Sequence, residues 1–477
     1  MPDTTDAEIG DLSLTEVSGL IASGELSPVE ATETMLDRIA RYDGKLRSYV
    51  TVMAEQARAE AAAREEELER GMNRGPLHGV PIAVKDLCET ADAPTSAGMW
   101  IHRDHRAARD STVVERLRRA GAVILGKLAM TEGAFSGHHP RMPTPLNPWN
   151  ENVWTGVSSS GSGAAPAAGL AYASLGSDTG GSIRFPSHGC GVTGLKPTWG
   201  RVSRAGVFAL ADSLDHIGPM ARTASDCAIV LGAIAGADPR DPTASAAPVD
   251  DYLAACGRPI RGLRIGLDRA RALDGAAPEI AAAVEGAAAA LESLGARVLP
   301  VSLPDDDGLF DAWSAICGVE CLIAHAETWP QRAADYGPQL SAVLEGGAAV
   351  GGAELGRAMQ RRLVYAGAWE HAVQDVDMVL SPVIVSLSPD LPAWTQLLAG
   401  EGDPAEFARL LRHTVPADMT GHPSLIVPAG FDSRGAPIGV QLIGRKFGEA
   451  ALLSAGHAFQ SLTDWHVRRP DLSPFAA

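Results

Sequence analysis

Cysteine, positive charge and long apolar runs are all in short supply in this sequence. Only six cysteines occur in 477 residues (Cys88, Cys190, Cys227, Cys256, Cys317 and Cys321), and they are scattered without disulfide or zinc spacing. Cys317 and Cys321 stand one helical turn apart, but no histidine partner follows at finger spacing. Buried free thiols in a reducing compartment are the expected state. Lysine and arginine total 40 against 58 aspartates and glutamates, a formal net charge of −18. Such a balance argues against a broad nucleic-acid or anionic-membrane footprint. The most apolar stretch, 228–237, is too short to span a bilayer. The opening MPDTTDAEIGD is acidic and polar, without a secretory pattern. A soluble cytoplasmic protein is therefore expected, with no nucleic-acid or membrane partner.

Several catalytic signatures are missing too. No Gly-x-Ser-x-Gly elbow, Ser-x-x-Lys or His-Glu-x-x-His occurs. Gly189-Cys-Gly191-Val-Thr-Gly194 has dinucleotide spacing, but it follows a proline-containing turn where a strand is required. Gly121-Ala-Val-Ile-Leu-Gly126-Lys127 has phosphate-loop spacing. Leu128, however, stands where a magnesium-ligating hydroxyl belongs, and the apolar residues between the glycines read as a strand. Among the thirteen histidines, His138-His139 reads as loop, and His188, six positions after Ser182, is a weak candidate for a base. No cofactor and no metal are expected.

What is present is a large ordinary core, with 45% hydrophobic and 21% charged residues, in an alternating texture. Ser27-Pro28-Val29-Glu30 starts a helix that Asp43-Gly44 is expected to stop. A second, solvent-facing helix follows from Glu55 to about Gly71. From Gly75 onward, strands and helices alternate: strand 79–84, helix 111–120, strand 122–125, and later strand 263–267, helix 278–294, strand 297–299. Residues 305–375 read as mostly helical. Residues 423–430 and 437–444 read as two strands joined by a turn at 433–435. This texture predicts one α/β domain over 1–477, with a central mixed, mostly parallel twisted sheet covered by helices on both faces. Within it, 1–74 is an N-terminal helical part, 75–230 a core, 231–420 a βαβ unit with a helical insertion, and 421–477 closing strands and a helix.

The chemistry concentrates in two places. Residues 155–184 read TGVSSSGSGAAPAAGLAYASLGSDTGGSIR, with Ser158 and Ser182 in separate Gly/Ser-rich turns. Upstream, the apolar run Pro81-Ile-Ala-Val84 delivers Lys85, followed by Asp86. By composition alone the first stretch is a flexible linker. The order of its residues instead suits nucleophilic acyl transfer, which needs a hydroxyl, a proton acceptor and donors for an oxyanion. A lysine can be that acceptor only if burial keeps it neutral.

These strings resemble the amidase signature family. Its pattern appears as Gly156-Val-Ser158-Ser159-Ser160-Gly161-Ser162 and Gly176-Ser-Asp178-Thr-Gly180-Gly181-Ser182-Ile-Arg184-Phe-Pro186. It continues through Gly189–Thr198, Gly200–Arg204 and Ser213–Pro219, and resumes at Gly421–Gly444. The resemblance covers nearly the whole chain. It implies Ser182 as nucleophile, Ser158 as a bridging serine held by a cis peptide, and Lys85 as the ultimate base. Thr179, Gly180, Gly181 and Ser182 can offer backbone N–H groups to the oxyanion, with Asp178 and Arg184 anchoring the turn and Ser159 bonded to Lys85. Asp86 is expected to turn outward, to a backbone or solvent role. Val157 and Ser160 depart from the family's usual glycines, which puts the backbone near Ser158 in question.

The activity implied is hydrolysis of the C–N bond of a small-molecule amide, with esters, anilides and carbamates (a urethanase activity) open to the same chemistry. The alternative is the glutaminase component of a tRNA-dependent amidotransferase complex, which Ser203–Pro219 also resembles. Phe185 and Thr131-Glu-Gly-Ala-Phe135 read as apolar pocket material, better suited to an aryl or alkyl amide than to glutamine. A monomer or homodimer fits the free-standing reading.

Overall fold

A computed structural model describes residues 6–401 and 403–477. Among the described residues, eleven strands form a single sheet: β1 (Tyr49–Val52), β2 (Pro81–Lys85), β3 (Val123–Leu128), β4 (Ala173–Asp178), β5 (Thr193–Lys196), β6 (His216–Ala221), β7 (Arg264–Leu267), β8 (Arg297–Pro300), β9 (Met378–Pro382), β10 (Ser424–Phe431) and β11 (Pro437–Gly444). Their spatial order is β1-β3-β2-β4-β6-β5-β10-β11-β9-β7-β8. Helices flank the sheet, and one apolar core extends from Ile9 to Phe475. The single α/β domain is as expected.

The direction of the strands is not. Where a mostly parallel sheet is expected, six of the ten neighbouring pairs are antiparallel and four parallel. The local β-α-β texture holds where one helix joins two strands. β2 pairs parallel with β3 across helix Thr112–Arg119, and β7 with β8 across helix Pro278–Ser293. The antiparallel pairs, such as β5 with β10 and β11 with β9, join segments far apart in the chain, and no local pattern specifies them.

Two details near the site matter. The helix capped by Ser27 runs Pro28–Leu46, past the expected stop at Asp43-Gly44, and ends at Arg47 in the left-handed conformation (φ 56°). Asp43 stays helical because its carboxylate accepts from the N–H groups of Ser48 and Tyr49 beyond the helix end. The short helix Ser160–Ala167 (SGSGAAPA) is buried throughout. Its small residues follow from close backbone approach: a Cβ on Gly161 would lie 2.4 Å from the Ser48 carbonyl oxygen and 2.7 Å from that of Ala129. All six cysteines are free and buried. Among the described residues, no helix is long and apolar enough to cross a membrane.

Candidate active site

Lys85 is the last residue of β2 and is fully buried. Its Nζ lies 2.7 Å from Ser158 Oγ, 2.8 Å from Ser159 Oγ and 2.8 Å from Ser177 Oγ. The carboxylate next to it in sequence is engaged elsewhere. Asp86 sits 3.2 Å from Lys127 Nζ and accepts from the Ser96 N–H and hydroxyl. It is turned away from Lys85 as expected, but into a buried ion pair, not toward solvent. Burial pushes Lys85 from 10.5 down to about 7, against the opposing pull of Cys88, Asp178 and Asp215.

The two serines of the Gly/Ser turn do different jobs. The Val157–Ser158 peptide is cis. Ser159 donates its N–H to the Ser182 carbonyl (3.3 Å) and its hydroxyl hydrogen to the Ser177 carbonyl (3.1 Å). With that hydrogen committed, Ser159 Oγ can only accept from Lys85.

Ser182 itself lies in a turn that a buried ion pair holds. The Asp178 carboxylate accepts from the N–H groups of Gly181 (2.7 Å) and Ile183 (2.9 Å), and from Arg184 Nε (3.0 Å) and Nη2 (2.8 Å). Burial alone would push Asp178 up, but Arg184 beside it wins and holds the carboxyl below the usual carboxylate range. Arg184 also donates to the Thr414 carbonyl (2.7 Å) and to Asp418 (2.6 Å). Because the Gly181 N–H is committed to Asp178, it drops out of the four expected oxyanion donors. Among the described residues, the N–H groups of Thr179, Gly180 and Ser182 have no protein acceptor. Gly181 serves the turn by its conformation (φ +136°), and a Cβ there would meet the Phe185 ring at 2.4 Å.

A model of the Amidase family matches residues 30–453. The chain belongs to the amidase family. It is 48% identical over 472 residues to the putative amidase AmiD of Mycobacterium tuberculosis (strain ATCC 25618 / H37Rv), with 98% of each chain covered. It is 40% identical over 486 residues to the glutaminyl-forming relative in Roseiflexus castenholzii (strain DSM 13941 / HLO8), the A-type component of glutamyl-tRNA(Gln) amidotransferase, with 97% and 98% covered. Among solved structures, the native peptide amidase from Stenotrophomonas maltophilia superposes with a TM-score of 0.82 at 30% identity, covering 96% of this chain and 98% of that one. The protein is thus an amidase-family hydrolase acting on amides.

In this amidase, every residue from Val153 to Cys190 is buried except Ser182. The exposed side of Ser182 faces a chamber of about 40 Å³, walled by Phe135, Phe185, Leu210, Trp313, Trp394 and Leu411. A larger cavity of about 650 Å³ shares Phe135, Ser136, Trp313 and Phe407 with it. Phe135 and Phe185 are therefore pocket residues, as expected. Glu132, in the same segment as Phe135, accepts from the Gly337 N–H (2.9 Å), and burial pushes its carboxyl up to about 7.

Several functional residues escape a reading of the sequence. Ser177 is one; its signal is the β2–β4 pairing, which sets Val84 against Leu175 and leaves Lys85 beside the end of β4. Trp313, Thr414 and Asp215, which bond the Ser182 turn, come from distant segments and carry no motif. The departures from the family pattern find partners: Val157 lines the chamber, and Ser160 Oγ lies 3.0 Å from His138 Nε2. His188 Nδ1 accepts from the Gly439 N–H (3.0 Å), so it is not a base for Ser182.

Proposed function

We propose that this amidase is a free-standing serine hydrolase for neutral, largely apolar amides, with Ser182 as nucleophile, Ser158 as proton relay and Lys85 as base. The observation that carries this reading is the exposure of Ser182 alone, on an apolar chamber, with a buried lysine behind it on three hydroxyls. A count of hydrogens supports the relay. A neutral lysine has two N–H groups and one lone pair. Ser159 takes one N–H, Ser177 takes the other, and the lone pair is left for the Ser158 hydroxyl.

Ser182 Oγ attacks the amide carbon as its proton passes to Ser158, whose own proton passes to Lys85. The oxyanion draws on the N–H groups of Thr179, Gly180 and Ser182. The C–N bond breaks as the amine takes a proton back along the same route, leaving an acyl group on Ser182. Water then attacks the acyl carbon, and the acid departs. Linear amides are the first substrates to try. Anilides, esters and carbamates pass through the same tetrahedral stage.

The chamber decides against the glutaminase reading. Glutamine carries an α-ammonium and an α-carboxylate that need charged or strongly polar partners, and no charged side chain lines the chamber beside Ser182. The free buried cysteines favour a reducing, cytoplasmic setting. The test is Ser182→Ala against wild type on an aryl amide: turnover should vanish. Wild-type turnover in a contamination-free variant would remove Ser182 from the mechanism.

A further inference from the structure

The N–H groups left free in the Ser182 turn are each set by a lock on the carbonyl before them. In a trans peptide the C=O and the following N–H point in opposite directions. The Asp178 carbonyl accepts from His216 Nδ1 (3.1 Å), which turns the Thr179 N–H the other way. The Gly181 carbonyl accepts from the Phe185 N–H (2.7 Å), which does the same for Ser182. The Thr179 carbonyl accepts from the indole Nε1 of Trp313 (2.9 Å), and this bond aims the Gly180 N–H.

The first two locks come from within the motif region. The third comes from helix Leu309–Ala324, in the helical insertion. Trp313 is buried at 4% exposure, lines both the chamber and the outer cavity, and packs on Gly180 so closely that a Cβ there would lie 2.6 Å from its ring. Thr179 is held from its other side by its hydroxyl, which donates to Asp215 (2.6 Å), and the next carbonyl, Gly180, accepts from the Thr414 hydroxyl (2.6 Å).

We propose that Trp313 is a positioning residue, whose indole N–H fixes the Thr179–Gly180 peptide plane so that the Gly180 N–H meets the oxyanion. This rests on Ser182 being the nucleophile. An indole that only walls the pocket would act through its area, and a phenyl ring would replace most of it. An indole that locks the peptide acts through one hydrogen, which phenylalanine lacks. The lock matters chiefly when negative charge develops, so its loss belongs in kcat and not in KM.

The experiment is Trp313→Phe, assayed on a neutral aryl amide and titrated with an arylboronic acid, which forms a tetrahedral anionic adduct on a serine hydroxyl. The expected result is a fall in kcat of about tenfold or more, KM within about twofold, and boronate affinity reduced in step with kcat. A folded variant with wild-type kcat, or one whose loss lies wholly in KM, overturns the inference. If Trp313→Phe does not fold, β-(3-benzothienyl)alanine at position 313 keeps the shape without the N–H, and an undiminished kcat there overturns it equally. Ser182→Ala is run alongside. A dead Ser182→Ala with a normal Trp313→Phe defeats this inference alone, whereas a live Ser182→Ala defeats the reading beneath it.

Discussion

At Lys85, three hydroxyls stand where an ordinary buried lysine would have a carboxylate. The consequence is a base available near neutrality. Below about 7 the ammonium is charged and cannot accept a proton; above it the amine is free. We expect kcat/KM on a non-ionising amide to climb with pH along a limb centred near 7. Glu132 also titrates at about 7, so Glu132→Gln serves as the control: the limb should persist in that variant. A profile that falls as pH rises from 6 to 9 would assign the base to another group. Lys85→Ala and Ser158→Ala should each lower kcat at least about a hundredfold. The double variant should be little worse than either, because relay and base act as one unit. Multiplicative losses would mean independent roles. Lys85, Ser158 and Ser182 were legible as chemistry because an apolar run and two Gly/Ser turns frame them. Ser177 was not, since only strand pairing brings its hydroxyl to the lysine.

At the scale of elements, helix Ser160–Ala167 shows why small residues recur where no chemistry needs them. Gly161 faces two backbone carbonyls that cannot move aside as a flexible side chain would. Gly161→Ala should therefore destabilise the fold by about 1–3 kcal/mol or more through overpacking, read as a lower urea midpoint at unchanged slope. A midpoint equal to wild type would show that the helix shifts freely. Most strands and helices were readable as apolar runs and amphipathic stretches. Their direction was readable only where a single helix links neighbours, as for β2 and β3. The helix after Ser27 overran its expected stop because Asp43 caps the next turn without breaking its own helix.

At the scale of the whole molecule, the site is assembled from segments hundreds of residues apart. Lys85 comes from β2, Ser158 and Ser182 from the turns around β4, Trp313 from the helical insertion, and Thr414 from the approach to β10. This assembly hid the oxyanion locks from the sequence, and it also builds the apolar chamber. That chamber should favour an aryl amide over glutamine by about a hundredfold or more in kcat/KM. Comparable values would revive the glutaminase reading. The central claim, an acyl-enzyme on Ser182, is tested most directly by trapping it. The enzyme is mixed with an activated aryl ester, quenched in acid within the first turnover, and peptide-mapped by mass spectrometry. The account predicts one acyl group, on the peptide carrying Ser182, and none in Ser182→Ala. An acyl group on another residue, or full turnover with no adduct formed at any time, would contradict it.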